Sequence, residues 1–112
     1  MAAAERQLKK RPRAPQLRWS RFAELDLELE HARLDRLDPA AARRWAQAVL
    51  DALDRLLKHP SLGTVARDLK PTGRYRHLIV GHHRLIYRVQ EHVILILRVW
   101  DARQDPGRLR AE

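Results

Sequence analysis

The chain has 112 residues, 45% of them apolar, with six histidines, no cysteine and a formal charge of +9. That length suits one domain with one core, and the lack of cysteine excludes a disulfide framework and a thiolate metal site. No apolar run is long enough to span a membrane and no secretory signal is visible, so a cytoplasmic protein with no membrane role is expected.

The charge is unevenly spread. Residues 1–15 carry five basic residues against one acidic, residues 16–59 balance eight against eight, and residues 60–112 hold ten against five. A basic surface attracts nucleic acid and acidic proteins without choosing between them. An arginine-rich proteome would give the same excess with no partner implied.

Residues 1–15 contain Pro12 and Pro15 and no apolar period, and read as a disordered basic tail. Residues 16–106 form the domain, and 107–112 a C-terminal tail. Gln16–Trp19 suits a short strand, and Ser20 is a good N-cap for a first helix ending near Leu37. In that helix Phe22, Leu25, Leu29 and Ala32 mark an apolar face, and Glu24, Asp26, Glu28 and Glu30 make the early turns acidic. Asp38-Pro39 restarts the chain as a second helix, with an N-cap followed by proline at the first helical position. Ala42, Trp45, Ala46, Val49, Leu53, Leu56 and Leu57 recur at helical spacing until His59-Pro60 closes the run. So short a link predicts an antiparallel helix hairpin.

After Gly63 the period becomes strand-like. Val65–Leu69 reads as a strand and Pro71-Thr72-Gly73 as a turn. Arg74–Val80, His83–Gln90 and Val93–Trp100 follow as strands joined by the two-residue links Gly81-His82 and Glu91-His92. The expected class is α+β: a short N-terminal strand, an antiparallel helix hairpin, then an antiparallel β-meander forming one sheet.

Alternation divides each strand into two rows. Leu85, Tyr87 and Val89 oppose Arg84, Ile86 and Arg88. In the last strand Val93, Leu95, Leu97 and Val99 oppose Ile94, Ile96, Arg98 and Trp100. With apolar rows against the helices, an open face gathers Arg76, Arg84, Arg88, Arg98 and Trp100, and Arg74 shares the face of Arg76. Guanidinium groups there suit phosphate or carboxylate, and Trp100 suits stacking on a base. The plainer reading of each arginine is a solvated side chain or a pair with Asp101 or Asp105. Trp19 and Trp45 fall on apolar patterns and are expected in the core. His77, His82 and His83 lie close in sequence, but the last two point to opposite faces and no acid of the region stands at ligand spacing, so no metal site is expected. There is no phosphate-cradling glycine loop, no nucleophile elbow and no HExxH, and no cofactor is expected.

Three stretches carry a family resemblance: GRYRHLIVGHHRLIYRV from Gly73, ILRVWDARQDP from Ile96, and HPSLG after the second helix, with LRWS near the start. In their order and spacing, residues 16–106 resemble the RelE/ParE superfamily of type II toxin-antitoxin toxins. The resemblance implies a toxin neutralised by a cognate antitoxin. It also implies one of two activities: mRNA cleavage on the ribosome in the RelE-like branch, or inhibition of DNA gyrase in the ParE-like branch. For a nuclease it nominates Arg76, Arg84 and Arg103, and His77 or His83, as residues that titrate near neutrality, would be the candidate general base. However, Ala102 stands where the post-strand arginine is expected, with Arg103 one residue on, and no tyrosine lies between Gln104 and Glu112. The ParE-like branch is therefore expected, with Arg74, Arg76, Arg84, Arg88, Arg98, Trp100 and Arg103 meeting target or antitoxin. RelE-like cleavage and a non-toxic nucleic-acid-binding module are the alternatives.

Overall fold

In the computed structural model, which describes residues 14–112, two polar side chains set the helix boundaries. Strand β1 (Gln16–Trp19) ends at Ser20, whose hydroxyl accepts the Ala23 amide (3.1 Å) and so caps α1 (Arg21–Leu37). Asp38 ends that helix, caps the next by accepting the Ala40 amide (3.0 Å), and hands over to Pro39 as first residue of α2 (Pro39–Lys58). Both caps are those expected from sequence. The predicted tail at 1–15 falls outside the described residues except for Ala14 and Pro15.

The sheet has the order β1-β5-β4-β3-β2. Strands β3 (Arg76–Val80), β4 (His83–Gln90) and β5 (Val93–Asp101) form the antiparallel meander, joined by turns in which Gly81 and Glu91 take positive φ. Strand β1 adds parallel to β5 at one edge, and β2 adds antiparallel to β3 at the other. The β2 strand is only Thr64–Val65 rather than Val65–Leu69. Beyond Val65 the chain leaves the sheet, and its Ala66 and Leu69 side chains are buried on the face away from the helices.

The expected rows hold in β4 but not in β5. A bulge at Ile86/Tyr87 pairs Ile86 with Arg98 and Tyr87 with Ile96, leaving Leu97 without a partner. The extra residue shifts the alternation. Ile94, Ile96 and Val99 join Ala23, Trp45, Val49, Leu53, Leu56, Leu85 and Tyr87 in the helix-side core, with Trp19 packed against it. Leu97 and Trp100, with Leu95 alongside, face the other way.

That other face is not open. Residues after β5 turn through a short 3-10 helix (Pro106–Arg108) and run back across the sheet. Leu109 and Ala111 pack there with Ala66, Leu69, Tyr75, Ile86, Leu97 and Trp100 in a second core, and Trp100 is only 8% exposed. Leu109 and Ala111 make 107–112 part of the fold instead of a tail. The α1 expectation is also corrected. Ala23, Leu27 and Leu34 face inward, while Phe22, Leu25 and Leu29 are exposed at 57%, 42% and 63%. The helix carries two apolar stripes, and it approaches β5 along the one whose small Ala23 permits close contact.

Candidate functional site

The arginines nominated from sequence are in place but not massed on one surface. Arg76 follows the parity of Leu78 and Val80, so it lies on the helix side, and its Nη1 donates to the Gly63 carbonyl at 2.6 Å. It therefore orders the loop after α2, where Tyr87 also acts: the buried phenol donates to the Pro60 carbonyl (2.9 Å) and accepts the Gly63 amide (2.8 Å). No open face holds Arg76 beside Arg84.

Arg84 is buried on the opposite side. It donates to both oxygens of Asp68 at 2.8 and 2.9 Å and, through Nε, to His77 Nδ1 at 2.8 Å. The Arg84 hydrogen bonds hold the Asp68 carboxyl below its usual range, and burial, with Arg84 beside it, lowers the His77 pKa. A bidentate guanidinium already filled by an internal carboxylate offers no free fork to phosphate.

Arg98 ties three elements together. Its Nε and Nη2 donate to Asp26 of α1 (2.8 and 3.1 Å), its Nη1 donates to the Arg110 carbonyl (2.9 Å), and the group lies over the rings of Phe22 and Trp100. This position follows from where β1 stops. Past Ile96 the edge of β5 turned away from β4 has no strand beside it, so Ser20 Oγ donates to the Leu97 carbonyl (2.8 Å) and Asp26 accepts the Val99 amide (3.0 Å). Arg88 and Arg74 both reach Glu112, the first through Nε and Nη2 at 3.1 Å, while Tyr75 donates to the same carboxylate at 2.6 Å. Tyr75, then Arg88, lowers the Glu112 pKa. Arg103 grips Asp101 through Nε and Nη2 (3.0 and 2.8 Å), holding that carboxyl at about 2.

Two features were not foreseen. His83 is buried at the start of β4, opposite Asp101 in register and 3.3 Å from Glu30 of α1. The acids that sequence spacing could not supply thus come from other elements, and among the described residues Glu30, His83 and Asp101 form a cluster able to hold a cation. Glu30 and Asp26 lie four apart on α1, which was the one available signal. The second feature is an apolar groove of about 400 Å³ lined by Trp19, Leu27, Trp45, Val49, Leu50 and Leu53. On the other flank of α1, Leu29 and Arg98 border a pocket of about 240 Å³ reaching His83. No helix among the described residues is long and apolar enough to cross a membrane.

Comparison with known proteins agrees with this architecture. The structure is similar to a solved chain described as "Chromosomal ParDE TA system from P. aeruginosa", with a TM-score of 0.63 and 22% identity over 77% of this chain and 94% of that one. No curated protein matches. The family model for the ParE toxin of the type II toxin-antitoxin system, parDE, matches residues 17–106, which take in both helices and, but for Gln16 of β1, every strand. The chain therefore belongs to the ParE toxin family of type II toxin-antitoxin systems.

Proposed function

We propose that this toxin acts by binding, inhibiting DNA gyrase and being neutralised by a cognate antitoxin, with no RNA cleavage. The observation that carries this reading is the exposed α1 stripe of Phe22, Leu25 and Leu29, set beside guanidinium groups that are already committed. An apolar stripe rimmed by charge suits a protein partner. A phosphodiester-cleaving site needs cationic and proton-transferring groups converging on one open surface. Here Arg76 and Arg84 lie on opposite sides of the sheet and His83 is buried under α1. Arg74 and Arg103, the most exposed of the nominated arginines, are free to exchange Glu112 and Asp101 for acidic groups of a partner.

The purified chain should block gyrase supercoiling, and added antitoxin should restore it. Unaffected supercoiling at concentrations that arrest growth sinks the proposal, and codon-specific mRNA cuts during that arrest would put RNA cleavage in its place. Leu25→Asp and Leu29→Asp test the surface: on an exposed helix face they should leave the fold intact and weaken antitoxin or gyrase binding at least about tenfold.

A further inference from the structure

We propose that Glu30, His83 and Asp101 form a binding site for a divalent transition-metal ion, best suited to Zn²⁺, which clamps α1 to the end of the sheet. The three residues come from three elements: Glu30 from the middle of α1, His83 from the first position of β4, and Asp101 from the last position of β5. His83 and Asp101 are direct cross-strand partners on the helix side, so the sheet register itself places both beneath Glu30. One ligand atom from each residue lies within 4.8 Å of the others.

The histidine is what separates this cluster from an ordinary acidic patch. It is only 5% exposed, yet neither ring nitrogen has a hydrogen-bond partner. Nε2 stands 3.3 Å from Glu30 Oε2, but not in hydrogen-bonding geometry. A buried imidazole left in this state forfeits the desolvation cost of two polar atoms. Two ligands on one tetrahedral zinc, each about 2.0–2.2 Å from the metal, sit roughly 3.4 Å apart. The His83–Glu30 separation of 3.3 Å already has that value, and bringing Asp101 to it from within 4.8 Å takes at most roughly 1.4 Å of side-chain movement.

The surroundings also match a ligand set. Arg33 holds Glu30 through Oε1, leaving Oε2 toward His83. Arg103 holds Asp101 from the solvent side. Metal-ligating carboxylates are commonly oriented by such outer hydrogen bonds. One imidazole nitrogen and two carboxylate oxygens suit zinc, and leave a fourth position open to the pocket lined by Arg98 and Gln104.

The test is titration of the purified, chelator-treated full chain with Zn²⁺, followed by calorimetry, and with Co²⁺, followed by its visible absorption. We expect one equivalent bound and the absorption of a four-coordinate cobalt ion. Glu30→Gln, Asp101→Asn and His83→Asn should each weaken binding at least about tenfold, whereas His82→Ala, at an exposed turn, should change nothing. If His83→Asn does not fold, Glu30→Gln and Asp101→Asn decide the matter. The proposal is overturned if the wild-type chain shows no saturable binding, if binding survives the ligand substitutions, or if it is lost with His82.

Discussion

Replacing Tyr87 by phenylalanine removes one oxygen and no packing volume, and so isolates what the phenol contributes. The ring is fully buried in the helix-side core, and its hydroxyl joins two points of the loop after α2: it donates to the Pro60 carbonyl and accepts the Gly63 amide. Pro60 is partly exposed, so water replaces that partner and the loss is the net worth of one bond, about 1 kcal/mol. Gly63 is buried, and its amide would be stranded at a cost of about 1–3 kcal/mol. Tyr87→Phe should therefore lower unfolding stability by about 2–4 kcal/mol, with the urea midpoint shifted and the m-value unchanged. Growth arrest per folded molecule should be unaffected, since the hydroxyl faces the loop rather than a partner. A loss under about 0.5 kcal/mol would refute the reasoning, because it would mean the Gly63 amide finds another acceptor. Loss of toxicity at full stability would refute it differently, by making Tyr87 functional.

Other perturbations separate the structural arginines from the exposed ones. Asp68→Ala should destabilise more than Arg84→Met, as measured by urea unfolding, because it leaves a buried guanidinium without its counter-charge, whereas the reverse change frees a carboxylate that is already half exposed. Leu109→Ala should cost about 2–4 kcal/mol and shift tryptophan emission to the red as Trp100 loses its cover. Gly63→Ala should destabilise strongly in the same unfolding assay, since its added Cβ would lie 2.7 Å from the His77 carbonyl oxygen, a backbone atom with little room to yield. Asp101 has a folded pKa of about 2, below its unfolded value, so its contribution is fully present above about pH 4 and is lost as pH falls through 2. Asp101→Asn should flatten that part of the stability–pH curve.

Local chemistry was the legible part of the fold. Ser20 and Asp38 act within three residues of themselves, and the turns at Gly81 and Glu91 are set by two-residue links, so element order and the meander could be read directly. What could not be read depends on atoms distant in sequence. The bulge at Ile86/Tyr87 has no local signature, and one extra residue reversed the faces of half of β5. On α1 two stripes were apolar, and the choice between them rested on how closely Ala23 could approach a strand more than seventy residues away. The C-terminal residues looked like a tail because Leu109 and Ala111 are too few to show a period, although two buried side chains are enough to close a sheet face.

The arginine excess shows why charge counting alone misplaces a site. Ten basic residues against five acidic ones in residues 60–112 suggested a cationic face. Yet Arg84 answers Asp68 and Arg98 answers Asp26, an acid from the half of the chain with no net charge. Helix acids are thus partly matched to sheet arginines, so a count within each segment does not locate the unpaired cations. Each such pair costs desolvation and repays it chiefly through geometry, since the planar fork fixes a helix or loop at one register on the sheet. Arginine in this fold therefore does mostly positional work. In the proposed reading, recognition falls to surfaces that composition does not flag: an apolar stripe on α1, and the two arginines, Arg74 and Arg103, whose own side chains are about half exposed.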